Sequence, residues 1–214
     1  MDTNIGQIFI SFIVLLFSLT MHEMAHAWTA DRLGDPTARL LGRISINPLV
    51  HADPIGTILF PLIALVTGAP LIGWAKPVPV NLRHLRHGRR DYVLVAAAGP
   101  ASNLVLALGA ALVLSVLPIS PVTLDEMNVS VPIAAILSQL LRLNVLLAVF
   151  NMIPIPPLDG GNVLSGLLPY RAAHVFDRIR PYGFILIYAV LLSPAFYYLV
   201  VVPYLTIVSW LPTH

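Results

Sequence analysis

The stretch NIGQIFISFIVLLFSLTMHEMAHAWTADR, residues 4–32, decides the fold of this 214-residue chain. From Ile5 to Thr20 it is almost wholly apolar, and His22, Glu23 and His26 follow without a break. As a single helix it is about 40 Å long at 1.5 Å per residue, enough to cross a bilayer with tilt. Residues four apart stand about 40° apart around a helix axis, so His22 and His26 can offer imidazole nitrogens to one metal while Glu23 flanks it. Water chemistry is therefore expected inside a membrane. Ionisable side chains at the centre of a spanning helix cost about 2.5 to 3.5 kcal/mol each, so this cluster needs a compensating partner.

The composition agrees with that reading. Of the residues 57% are hydrophobic and 10% charged, against about 25% charged in soluble domains, and the mean hydropathy is +0.85. Nineteen prolines and 13 glycines are many for plain spanning helices and point to broken helices and re-entrant segments inside protein. Cysteine is absent, so disulfides and thiolate ligands are excluded and any metal falls to His, Asp or Glu. The net charge of +2 comes mainly from Lys76 to Arg90, a stretch that records membrane topology; no nucleic-acid partner is expected. The N-terminal run lacks the basic residues of a signal peptide and is expected to be retained.

Charge also orients the chain. Met1 to Asn4 carries no Lys or Arg, whereas Arg32, Arg39 and Arg43 follow the motif, which places the N-terminus outside and the motif nearer the cytoplasm. Residues 42–54, GRISINPLVHADP, read as a short extended segment and turn. Basic residues flank the region 44–75 on both sides, so Ile55 to Val66 is expected to enter the membrane and residues 70–80, PLIGWAKPVPV, to return as extended chain. Such backbone must be buried in protein or line a cavity. Tyr92 to Leu117 then runs outward, residues 118–132 with Asp125 and Glu126 form an exterior loop, and Ile133 to Ile153 returns inward until Pro154, Pro156 and Pro157. Arg142 and Asn144 in that helix are expected to face the bundle. Arg171, Arg178 and Arg180 mark another cytoplasmic stretch, and Tyr182 to Leu211, with Pro194 and Pro203, forms a kinked helix or a short hairpin. The expected fold is an all-α polytopic membrane protein with about 4 to 6 transmembrane helices and a re-entrant extended or β segment. Residues 1–214 form one domain, with a core over about 4–166 and a C-terminal membrane segment over about 181–212.

Catalytic zinc sites use three protein ligands and keep one position for water. His22 and His26 supply two. The candidate for the third is Asp159 in NMIPIPPLDGG, residues 151–161, an acid at the cytoplasmic end of an inward-running helix and at comparable depth; a helix N-cap after a proline turn would also account for it. His51 and Asp53 read as turn residues or as supports behind the ligands, and His84 and His87 as part of a solvated loop that touches anionic lipid.

The pair HEMAH (22–26) and NMIPIPPLDGG (151–161) resembles the two signature motifs of the site-2 protease family of intramembrane zinc metalloproteases. GRISINPLVHADPIGT (42–57), GWAKPVPVN (73–81) and AGPASN (98–103) extend the resemblance across most of Met21 to Gly161. It implies His22, His26 and Asp159 as ligands of one Zn2+ per chain and Glu23 as the catalytic acid/base. The amides of Asn103 and Asn151 are implied substrate-binding donors to an oxyanion or a substrate carbonyl, with interhelical hydrogen bonding as the other role for each. GWAKPVPVN can serve as an edge strand that pairs with unwound substrate, or as a structural re-entrant loop. The implied substrate is a single-pass transmembrane protein within the lipid bilayer, and the implied location is the plasma (inner) membrane of a prokaryote with the active site toward the cytoplasm. No PDZ or CBS domain is recognised, so a minimal core is expected, with substrate selection left to the membrane part or to a separate regulatory or adaptor protein. A membrane metal transporter or sensor, and a catalytically silent binder of membrane helices, are the competing functions.

Overall fold

A computed structural model describes residues 5–60, 63, 74–117 and 130–212. The opening stretch forms one helix, α1 (Ile5–Arg32). Its central hydroxyls turn back on their own helix: Ser18 Oγ donates to the Val14 carbonyl and Thr20 Oγ1 to that of Leu16, each at 2.7 Å, so neither carries an unmet donor into an apolar setting. A short helix α2 (Thr37–Leu40), a 3-10 turn (Pro48–Val50) and a π turn (Pro54–Leu59) follow. The remaining helices are α3 (Arg89–Val116), α4 (Ser130–Asn151), α5 (Asp159–Leu167), α6 (Tyr170–Asp177), α7 (Gly183–Leu191) and α8 (Val202–Trp210).

Three of these are long and apolar enough to span a membrane: Phe9–Arg32, Arg89–Val116 and Pro132–Asn151. The chain is a multi-pass membrane protein whose regular structure is helical, with no strand among the described residues. Beyond the three long spans, Tyr197–Trp210 is a shorter apolar helix. The C-terminal segment is two helical pieces broken around Ser193 and Pro194, where a prolyl nitrogen cannot donate to the helix ladder. Residues 70–73 of the expected return, residues 61, 62 and 64–66 of its entering segment and the loop 118–129 with Asp125 and Glu126 lie outside the described residues.

Helix α3 is the hub, packing against α1, α4 and α5. Ala96, Gly99, Asn103, Ala107 and Ala110 recur in steps of three and four along it, Ala111 lies four past Ala107, and all are buried; such small faces let helix backbones approach closely in lipid. Ala107, Ala110 and Ala111 form the main core with Leu141, Val145, Val149, Ile153 and Val200. Asn144 is completely buried, as its depth requires. Arg142 is not: it is exposed on the outside of α4. Residues two positions apart on a helix stand about 200° apart around its axis, so once Asn144 faces the bundle Arg142 must face away.

Residues 74–80 carry neither helix nor strand and are bound down onto the protein. The Lys76 amide donates to the His51 carbonyl at 2.8 Å, Thr57 Oγ1 donates to the Trp74 carbonyl at 2.8 Å, and the buried Arg43 guanidinium gathers the carbonyls of Val50, Lys76 and Pro77. Irregular backbone in a membrane protein is stable only with partners of this kind.

Candidate metal centre

Helix α1 carries His22 and His26 one turn apart, and the Pro154–Pro157 turn after α4 delivers Asp159 as the first residue of α5. His22 Nε2 lies 3.1 Å and His26 Nε2 3.3 Å from Asp159 Oδ2, and the two Nε2 atoms are 3.0 Å apart. The rings stand nearly perpendicular, at 85° with centroids 4.7 Å apart. Asp159 caps nothing: Leu158 occupies the N-cap position without a side-chain cap bond, and the carboxylate points to the histidines instead.

The other imidazole nitrogens show which atoms face the centre. Asn144 Nδ2 donates to the Leu140 carbonyl and to Ser18 Oγ, both at 2.8 Å. That leaves Asn144 Oδ1 to accept from Asn103 Nδ2 at 2.7 Å, and Asn103 Oδ1 then faces His22 Nδ1 at 2.6 Å. His22 must donate there through Nδ1–H, because an amide oxygen only accepts. His26 Nδ1 likewise donates to the Val95 carbonyl at 2.7 Å. With the imidazoles neutral, as metal ligands are, both Nε2 atoms present lone pairs to each other and to Asp159 Oδ2, which is buried and has no hydrogen-bond donor.

In that state three acceptors crowd together and call for a cation. Two imidazoles and a carboxylate are a zinc ligand set, and bonds of about 2.0 to 2.1 Å at tetrahedral angles put ligand atoms about 3.3 Å apart, close to the spacing seen. No other group of three or more His, Asp or Glu side chains among the described residues converges in this way.

Close packing holds the arrangement. A Cβ on Gly99 of α3 would collide with both imidazoles, 2.6 Å from His22 Nε2, so α3 can pass the ligands only with glycine there. Gly160, next to Asp159, allows α5 to press on the backbone of Met152 and Ile153.

Glu23 lines the same cleft, together with Pro77, Val78, Tyr92, Asn151 and Asn162. Its Oε2 accepts the Val78 amide at 3.0 Å, and its Oε1 has no protein partner among the described residues. Asn151 Nδ2 donates back to the Leu147 carbonyl at 3.0 Å and its side chain borders the cleft. Asn103, by contrast, is fully buried and engaged at both ends of its amide. His51 is buried, with Nε2 donating to the Ser45 carbonyl at 2.9 Å. Chiefly burial, with help from the Arg43 guanidinium and against the Ser45 carbonyl, holds its pKa below the ordinary histidine value. Asp53 caps the π turn by accepting the amides of Ile55 and Gly56. Neither belongs to the ligand group.

Three features of the site are absent from a reading of motifs: Ser18 as the end of the amide chain, the Val95 carbonyl as orienter of His26, and the Val78 amide on Glu23. Asn144 had a legible signal, since it precedes Asn151 by seven residues and so shares its helix face.

A membrane protein with a buried His-His-Asp centre beside a glutamate is the class that fold and site define. Residues 118–194 match the model of peptidase family M50. The chain is 38% identical over 182 residues, 85% of its own length and 80% of the other's, to a Bacillus subtilis protein named "Putative zinc metalloprotease YwhC". It is 29% identical over 180 residues to a Mycolicibacterium smegmatis protein named "Putative zinc metalloprotease Rip2", of which it spans 65%. A Synechocystis protein named "Putative zinc metalloprotease sll0528" matches at 45% over 74 residues, 35% of this chain and 17% of that protein. No solved structure matches. The chain belongs to peptidase family M50, the site-2 protease family.

Proposed function

We propose that this protein is an intramembrane zinc endopeptidase that hydrolyses peptide bonds of single-pass transmembrane substrates. The observation that carries the reading is the convergence of three bare acceptor atoms from His22, His26 and Asp159 in the cleft that Glu23 lines. One zinc per chain, when bound there, supplies Lewis acidity toward water and the scissile carbonyl. The rest falls to side chains. Glu23 is fixed through Oε2 by the Val78 amide, which leaves Oε1 to take a proton from the attacking water and hand it to the leaving amine nitrogen. Of the two amides expected at the substrate, Asn151 borders the cleft and is assigned to the substrate carbonyl, whereas Asn103 is assigned to holding His22.

The segment 74–80 acts here as a strap over Glu23. Its Lys76 and Val78 amides both point into the protein, and positions 77 and 79 are proline. Over 76–79 no N–H is left to pair with an unwound substrate strand. The basic stretches 76–90 and 171–180 support a cytoplasmic placement of the cleft, in the plasma membrane of a prokaryote.

The test uses purified protein in detergent with a candidate single-pass substrate, comparing wild type, Glu23→Gln and Asp159→Ala, with zinc content measured in each. Glu23→Gln is expected to keep its zinc and lose cleavage, and Asp159→Ala to lose both. Cleavage by Glu23→Gln at the wild-type rate, or full zinc occupancy in Asp159→Ala, would overturn the assignment.

A further inference from the structure

Within the three spans found among the described residues, Arg142 is the one charged residue at mid-helix that the centre does not use. It lies ten residues past Pro132 and nine before Asn151, the ends of its span, so each end is about 14 to 15 Å away along the axis. With a hydrocarbon core about 30 Å thick, that is mid-depth and beyond the reach of an arginine side chain. The residue is exposed and makes no ion pair or hydrogen bond with any described residue. The other faces of α4 are spent: Leu141, Val145 and Val149 are buried in the main core, and Leu143 and Leu147 pack beside Leu15 and Leu19 of α1. Arg142 shares the outward strip with Ala135, two turns earlier, and Leu146, one turn later, which is 39% exposed. Two and a half helical turns separate it from Asn151, so this strip points away from the catalytic cleft.

An always-charged guanidinium facing lipid at mid-depth is costly and marks a partner, and its planar fork suits a carboxylate. We propose that the outward strip of α4 centred on Arg142 docks a transmembrane helix of another protein that carries an aspartate or glutamate at mid-bilayer depth. A second copy of this chain does not supply that carboxylate. Within the three spans the described acids are Glu23, which lines the cleft, Asp31, paired with Arg39 at 2.8 Å, and Asp91, buried and bonded to the His87 amide. Because the strip lies behind the cleft, the docked helix is a membrane partner of the enzyme, not the segment being cut. The inference depends on the membrane placement of α4 and not on the proposed chemistry.

The test reconstitutes the full chain in phosphatidylcholine vesicles that hold a minor share of labelled phosphatidylglycerol, with a lysine-flanked polyleucine helix of about 20 residues that bears one central Glu. Because the chain lacks cysteine, a single donor dye can be attached through Pro132→Cys and transfer to a labelled peptide measured. The Glu peptide is expected to associate at least tenfold more tightly than its Gln counterpart. Arg142→Leu is expected to erase that preference, and Arg142→Glu to create a preference for an Arg-centred peptide. Equal association of the Glu and Gln peptides with the labelled protein that keeps Arg142, an outcome that needs no Arg142 variant to interpret, would overturn the proposal. So would a Glu preference that survives Arg142→Leu, or an Arg142-dependent enrichment of anionic lipid in place of peptide binding. Running the series in the Glu23→Gln background keeps docking separate from cleavage, so loss of the protease reading leaves this result intact.

Discussion

At the scale of single residues, the centre depends on which nitrogen of each histidine holds its proton. Asn103 and the Val95 carbonyl hold both Nδ1–H groups, so each Nε2 is free for metal. Partners behind metal ligands are typically worth about 10- to 100-fold in metal affinity. Asn103→Ala is expected to weaken zinc binding by about that factor in chelator competition, and Asn144→Ala, one bond further back, by roughly tenfold or less on the same basis. An unchanged zinc affinity in Asn103→Ala would sink this account of His22. Gly99→Ala is the sterically sharper case. Its methyl would occupy the space of both imidazoles, so the variant is expected to fold in detergent yet retain no zinc by elemental analysis.

At the scale of elements, two connections place α1 against the rest. The strap fixes Glu23 by one amide, and a charge-assisted hydrogen bond of this kind is worth roughly 1.5 to 3 kcal/mol. Val78→Pro removes the donor; cleavage is expected to fall about tenfold or more while zinc content stays at the wild-type level. Loss of zinc in that variant would mean that the strap supports the ligands and not Glu23. The second connection is Asp35, completely buried in the turn after α1. Burial by itself would raise its carboxyl pKa, but the Thr37 hydroxyl, the Asn81 and Thr37 amides and His84 outweigh burial and hold it below the ordinary carboxylate value. A lowered native pKa stabilises the fold fully above the unfolded-state value of 3.8, and that contribution drains away as the pH falls below it toward the native pKa. Asp35→Asn should therefore be less stable than wild type by about 2 kcal/mol at pH 7, with the gap closing on acidification below about pH 4. Thermal melts of both proteins across that range check it, and a gap that widens in acid would contradict the assignment.

At the scale of the whole molecule, orientation is the open quantity that the charge pattern addresses directly. A cysteine-free chain permits single-cysteine mapping without background. A cysteine at His87, exposed in the basic loop before α3, is expected to resist a membrane-impermeant thiol reagent added outside intact cells and to react in inverted vesicles. A cysteine at Pro132, at the opposite end of α4, should behave the other way round. Labelling of both positions from one side would reject the topology.

The sequence by itself determined the membrane class, the helical span of α1 and the identity of the residues that meet at the centre. Those properties are local: apolar run length, the 3.6-residue period and the depth implied by flanking arginines act within one segment. It left open whether Asp159 caps a helix or faces the histidines, which groups the Asn103 amide engages, and where the N–H groups of the proline-rich strap point. It also misplaced Arg142, because depth shows that a charge is buried in the membrane but not which side of its helix the neighbours cover. Only the tertiary structure decided these, since each depends on contacts between residues far apart in sequence: Asn103 with His22, Val78 with Glu23, Asn144 with Ser18. The small face of α3 brings those partners within hydrogen-bond reach, and no periodicity within a single helix encodes the distance between two of them.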